Sequence, residues 1–197
     1  MLRRDVLSLG MLLTAGGLAS TLPGAAEAVT QAKAEVRPGL LVRGVKGTWK
    51  SKGNAHGSLT ADVLVQSLTV DRTTRTLKVH GRIASQGGDG LAAFVSQTFV
   101  ASAKLTQAGS GGAACGALTL AIGTIHLPVR GGLVIKLEPI KADVAGLHGR
   151  GRRLGNDLCT LAGLLNGEGS LDGLKDLLQQ INAILAKGLI TVSQPGS

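Results

Sequence analysis

Flat rings are almost missing from this sequence. The 197-residue chain holds one Trp, two Phe and no Tyr. That argues against surfaces that stack sugars or single-stranded bases on aromatic platforms. Its two methionines, Met1 and Met11, both fall in the first 28 residues, so nothing downstream could form an adaptable Met-lined groove. Past that segment, no stretch reaches the roughly 18–20 apolar residues that a membrane span requires. Reactive motifs are scarce as well. There is no Gly-x-Ser-x-Gly elbow. Gly149-x-Gly151 runs into Arg152-Arg153-Leu154-Gly155, which does not match a dinucleotide fingerprint, and no parallel βαβ pattern surrounds it. His56, His80, His126 and His148 form no His-x-x-x-His pair and none adjoins a cysteine, so no metal ligand set is assigned. Acids are dispersed, with Asp143 the one carboxylate on a strand among apolar neighbours. Without stacking rings a paired-acid glycosidase is disfavoured. No catalytic residue and no cofactor is assigned.

What the chain does have is apolar content, glycine and positive charge. Hydrophobic residues make up 44%, enough to bury the core of one domain. Thirty glycines indicate many turns and close backbone approaches. At the N-terminus, Arg3-Arg4 precedes an apolar run from Val6 to Leu18, followed by Leu22-Pro23-Gly24 and the small-residue pattern Ala26-Glu27-Ala28. This is the order of an export leader, residues 1–28, with cleavage after Ala28. The paired arginines resemble a twin-arginine signal. The expected location is therefore outside the cytoplasm: periplasm, cell surface or medium. Cys115 and Cys159 are the only cysteines, and an even count in an exported chain suggests a disulfide. Closing a loop of that length stabilises a fold by roughly 4 kcal/mol in the chain-entropy model.

Residues 29–41 read as a loose arm and 42–188 as a single domain. From Val42 the period is two. Leu59, Ala61, Val63 and Val65 alternate with polar residues, as do Leu77, Val79, Gly81 and Ile83. Asp71-Arg72-Thr73-Thr74 reads as a hairpin connection, and Gln86 to Gly90 as a second turn. A β-compatible stretch follows from Leu91 to Gln107. Leu118, Leu120 and Ile122 continue the alternation until Gly123 shifts its phase, which predicts a bulge or bend. Pro128 suits an edge strand, and Arg130-Gly131-Gly132 a turn. Leu133, Ile135 and Leu137, then Ile140, Ala142 and Val144, complete the strands. The spacing then becomes helical, predicting helices at 154–166, started by Gly155 or Asn156, and at 170–187, capped by Ser170, with a tail at 189–197. Strands first and helices last predict an α+β fold, a mainly antiparallel sheet, sandwiched or curved, with two C-terminal helices packed on it. Cys159 lies on the first helix, so a disulfide would pin helix to sheet.

One set of residues carries a family resemblance: Cys115-x-x-Leu118-x-Leu120-x-Ile122-Gly123-x-Ile125-His126-Leu127, then Leu133-x-Ile135-x-Leu137, then Leu154-Gly155-Asn156-x-Leu158-Cys159. It resembles a family of small exported bacterial proteins that share two cysteines, a Leu-rich strand broken by glycine and a Leu-Gly-Asn helix start. The resemblance implies export, the disulfide and the order of elements, but no reaction or ligand. It departs from the family pattern at Gly149-Arg150-Gly151-Arg152-Arg153, where relatives tend to carry a neutral loop.

The functional hint is charge. Lys and Arg number 21 against 12 acids, for a net charge of +9, which favours anionic partners. The densest cluster is His148, Arg150, Arg152 and Arg153, expected in a Gly-rich loop before a helix N-terminus, where backbone N–H groups add to anion capture. Lys46, Lys50 and Lys52 around Trp49 make a second basic stretch. The sequence thus points to a non-enzymatic exported envelope protein that contacts anionic cell-wall polymers or lipid headgroups, with no nucleic-acid partner and no membrane span after leader removal. Two alternatives are a carrier of a hydrophobic molecule between sheet and helices, and a hydrolase.

Overall fold

Period-two alternation becomes strand almost wherever it occurs. The computed structural model describes residues 37–88, 96–108, 117–129, 131–144, 150–167, 172–192 and 194. The chain divides into Met1–Ala34 and Glu35–Ser197, and every described residue belongs to the second unit. In chain order the strands are β1 (Gly39–Lys50), β2 (His56–Asp71), β3 (Thr76–Gly88), β4 (Ser96–Ala108), β5 (Ala117–Ile122), β6 (Ile125–Val129), β7 (Leu133–Leu137) and β8 (Ile140–Asp143). Helices α1 (Arg150–Leu165) and α2 (Leu174–Leu185) follow, and then β9 (Leu189–Val192). The sheet is mainly antiparallel and curls into a half-barrel, with the two helices coming late in the chain. The expected α+β class is the observed one.

The strand order is β6-β7-β1-β2-β3-β4-β5-β8, with β9 alongside β1. The ends of this path are joined through the chain itself. A single pairing frame runs from Thr119–Asp143 through Ile122–Ile140 and Ile125–Leu137 to Val129–Leu133. So β5–β6 and β7–β8 form one long hairpin, bent at Gly123-Thr124 on one arm and Glu138-Pro139 on the other. Its inner half pairs with β4 through β5, while its outer half pairs with β1 through β7. The Gly123 N–H donates to the Ser102 carbonyl at 3.0 Å, and the Glu138 N–H to the Lys46 carbonyl at 3.0 Å, which anchors both bends. The phase change at Gly123 is thus the corner that lets one hairpin serve both sides of the curl. Pro128 lies on β6, which pairs with β7 and has no second ladder, so its missing N–H costs no ladder bond. Its carbonyl accepts from Gln97 Nε2 of β4 at 3.1 Å.

Inward-facing side chains are aliphatic and tightly packed. Val63, Val79, Ile83, Ile135, Leu137 and Ile140 are fully buried, and each such burial stabilises the fold by roughly 2 kcal/mol. A β-bulge between Val42 and Val45 keeps both residues on the inner face. Gly44 takes the left-handed conformation there (φ +68), and its N–H donates to Asp62 Oδ1 at 3.2 Å. The expected connection at 71–74 is present. Asp71 Oδ1 accepts from the N–H groups of Thr73 and Thr74 at 3.0 and 3.3 Å, an Asx turn. Bonds from the Thr74 and then the Thr73 N–H hold the Asp71 carboxyl below its usual range.

Several expected boundaries are corrected. The arm expected to reach residue 41 gives way to β1 at Gly39. The expected tail carries β9, which pairs in parallel with β1 from Gly39–Leu189 to Val42–Val192, because Ile190 and Val192 supply an inward face. Most consequentially, α1 begins at Arg150, not at 154. Its buried face includes Gly151 and Gly155 together with Leu154, Leu158, Leu161 and Ala162, so glycine, not leucine, marks the first turn of the apolar stripe. The second helix runs from Leu174, preceded by Gly173 with no side-chain cap. The turn expected at Gln86 to Gly90 is corrected in its first part, since β3 runs on through Gly88; residues 89–90 and the expected cap, Ser170, lie outside the described residues.

Candidate functional site: a basic sheet face with a groove at its rim

Alternation fixes the chemistry of the outer face as firmly as that of the core. Since Val45, Gly47 and Trp49 point inward, Lys46, Thr48 and Lys50 point out. The same parity sends Lys78, His80 and Arg82 outward on β3, Lys104 on β4, Lys136 on β7 and Lys141 on β8. Strand pairing places Thr48 opposite Lys136, and Lys136 opposite His126. On the other side of the curl, Ala121 lies between Lys104 and Lys141. The outer face of the described strands thus presents Arg43, Lys46, Lys50, Lys78, Arg82, Lys104, Lys136 and Lys141 against the strand acids Asp62, Asp71 and Asp143, with Glu138 at the β7–β8 bend. Hydroxyls of Thr48, Thr60, Thr98, Ser102 and Thr106 lie among the cations on this face.

A concavity lies at the rim of this face, where core-facing residues also reach it. A groove of about 800 Å³ opens where the β2–β3 turn, β4, the β5 bend and the end of α1 meet. Thr74, Arg75 and Thr76 form one wall, while Ser102, Lys104, Thr106 and Gln107 come from β4. Asn166 closes the end, and Leu105, Ile122, Pro139 and Leu165 contribute apolar surface. Among the described residues no acid is in the lining. Arg75 has φ +51, a left-handed backbone that is uncommon for a residue with a side chain. Its Nη1 lies 3.4 Å from where a Cβ on Gly167 would be, so the guanidinium sits beside the end of α1.

The basic cluster singled out in the sequence is arranged differently from the expected loop. Arg150, Arg152 and Arg153 belong to the first turn of α1, with Arg152 and Arg153 exposed. His148 lies outside the described residues. The first turn carries no acid, so the helix dipole opposes these arginines. Asp157, one turn on from Arg153, has an Oδ2 that is buried without a hydrogen-bond partner. Burial raises its carboxyl above the usual range, and the Arg153 charge works against that rise. Because the folded-state pKa lies above the ordinary value of 3.8, the native chain binds this proton more tightly than the unfolded one. The ionised group therefore lowers stability as pH rises from 3.8 through the raised value. Asp157→Asn is expected to raise stability near neutral pH and to flatten that part of the profile. Urea unfolding across pH 4–7 tests this, and an unchanged profile would contradict it.

Cys159 is half-buried on α1 and packs against the core, whereas Cys115 lies outside the described residues. His126 is exposed on β6, and the His56 and His80 rings bond to the Asn54 carbonyl and to Thr69 Oγ1. Among the described residues, no three of His, Cys, Asp and Glu gather as a metal-binding group. Arg75 and Lys104 were not legible as a pair. Twenty-eight residues separate them, and only the fold places them on one groove. Comparison of the chain with protein-family models, curated proteins and solved structures finds no match.

Proposed function

We propose that this chain is an exported, non-enzymatic envelope protein whose basic outer sheet face binds anionic surface polymers. The carrying observation is the segregation of charge by strand parity: lysines and arginines from β1, β3, β4, β7 and β8 share one face with only three strand acids among the described residues. The leader pattern at residues 1–28 supports export. A rigid sheet presenting cations amid hydroxyls suits a repeating polyanion, because each repeat meets the same chemistry without base- or ring-specific contacts.

Binding to an acidic polymer, measured by titration calorimetry over a range of salt concentrations, tests this reading. Charge reversal at Lys46, Lys50 and Lys136 is expected to weaken binding at least tenfold and to reduce its salt dependence. Replacing Arg152 and Arg153 with alanine is expected to have a smaller effect. Salt-insensitive binding, or a dominant effect of the α1 arginines, would overturn the assignment to the sheet face.

A further inference from the structure

We infer that the groove beside Arg75 and Lys104 is a binding site for a phosphate-bearing unit of a sugar or polyol chain. The inference deepens the proposed function, since it names the anchoring point and the ligand chemistry on the same basic face. Three features carry it. Among the described residues, two cations line the groove and no acid does. Among the described residues, no hydrogen bond or ion pair occupies either cation. Thr74, Thr76 and Thr106 are also in the lining; the Thr76 hydroxyl donates to the Thr74 carbonyl at 3.4 Å, which leaves its oxygen to accept from a ligand hydroxyl, while Thr106 can both donate and accept.

Size and composition narrow the class further. About 800 Å³ exceeds what a lone inorganic anion needs and matches the range of pockets that hold small organic ligands. Among the described residues no aromatic ring lines the groove, so a sugar there would be held through its charge and hydroxyls and not by stacking. The Arg75 guanidinium lies beside Gly167 at the end of α1, across the groove from the β4 wall. A planar guanidinium suits phosphate oxygens, with the Lys104 ammonium as a second point charge.

The test titrates the folded, isotope-labelled protein with glycerol 3-phosphate, followed by amide NMR shifts. Glycerol and glucuronate serve as the uncharged and carboxylate counterparts. Saturable shifts centred on Thr74–Thr76, Lys104, Thr106 and Asn166 are expected with glycerol 3-phosphate alone. Arg75→Asn with Lys104→Gln is expected to weaken this binding at least tenfold. Asparagine tolerates the left-handed backbone at position 75, and Lys104→Gln by itself, on an exposed strand position, keeps the test valid should the double variant fold poorly. Equal binding of glucuronate would overturn the phosphate assignment, and shifts that never saturate would overturn the site. Polymer binding that persists while glycerol 3-phosphate fails removes this inference alone. Saturable groove binding without polymer binding removes the face reading alone.

Discussion

Replacing Gly81 with alanine is expected to lower the unfolding free energy by about 3 kcal/mol, the upper part of the usual overpacking range. Gly81 lies mid-strand on β3, opposite Val65 of β2 and Phe99 of β4. A Cβ there would run into the Leu64 carbonyl oxygen and would sit 2.9 Å from both Cε1 and Cζ of Phe99. The first obstacle is backbone and cannot rotate away. The second is a ring that lies over the glycine and fills the space a side chain would take, the packing of an aromatic across a strand glycine. Relief requires β2 and β3 to separate next to the bulge between Val65 and Ser67, which would disturb the curl that sets the outer face. For a domain of this size the loss corresponds to a Tm lower by roughly 10 °C. Gly173→Ala is the control, since nothing lies within 4 Å of the added carbon and the backbone is already helical (φ −81). Circular dichroism in urea gives the comparison, and Trp49, the single Trp, supplies an independent fluorescence probe. A loss below about 1 kcal/mol, typical of an average substitution, would show that the strands yield and that the contact is not a constraint. Combining Gly81→Ala with Phe99→Ala should restore only part of the loss, because the carbonyl remains.

Strand content was legible because alternation is a local signal. Leu77, Val79, Gly81 and Ile83 read as one face and form one. The register break at Gly123 was legible too, but its consequence was not. That β5 and β6 pair on opposite sides of the curl depends on where β1 and β4 lie, and no local pattern reports this. The start of α1 was misplaced because periodicity is read from large apolar residues, and Gly151 and Gly155 bury a helix face without contributing any. The same error turned Arg152 and Arg153 into loop residues. The outer face follows from parity once the strands are known, whereas the groove needs the β2–β3 turn, β4 and the end of α1 to meet. Charge along the chain drew attention to the densest run of arginines, but charge across strands is the larger accumulation. Lysines spaced by whole strands become neighbours only after pairing.

Asn182→Ala is expected to cost a further instructive 3 kcal/mol or so, from two interactions that leave part-buried partners behind. β1 flanks β2 only as far as the Leu40–Val65 pair. Beyond it, Leu68 faces β3 on one side through Val79 and has no strand on the other. Asn182 of α2 takes that place. Its Oδ1 accepts from the Leu68 N–H at 2.8 Å, and its Nδ2 donates to the Leu68 carbonyl at 3.0 Å. A side-chain amide thereby reproduces the donor–acceptor pair of a neighbouring strand and fixes α2 to the sheet. Leu68 is only 2% exposed with Asn182 in place and both bonds are part-buried, so removing the amide leaves a backbone donor and acceptor that water satisfies only in part. Asp at this position restores the acceptor but sets a carboxylate oxygen against the Leu68 carbonyl, so Asn182→Asp should be no better tolerated near neutral pH. Neighbouring Ala183, exposed on the same helix, is the control, and Ala183→Ser should change stability little. Hydrogen exchange gives the local readout. The Leu68 amide should exchange much faster in Asn182→Ala while the amides of β7 keep their protection. If the Leu68 amide kept its native exchange rate, the sheet edge would be held by something other than this amide. The amphipathic pattern of α2 marks Leu174, Ile181 and Leu185 as core, yet it is the polar residue beside Ile181 that completes the sheet, a role visible only once helix and strand edge are brought together.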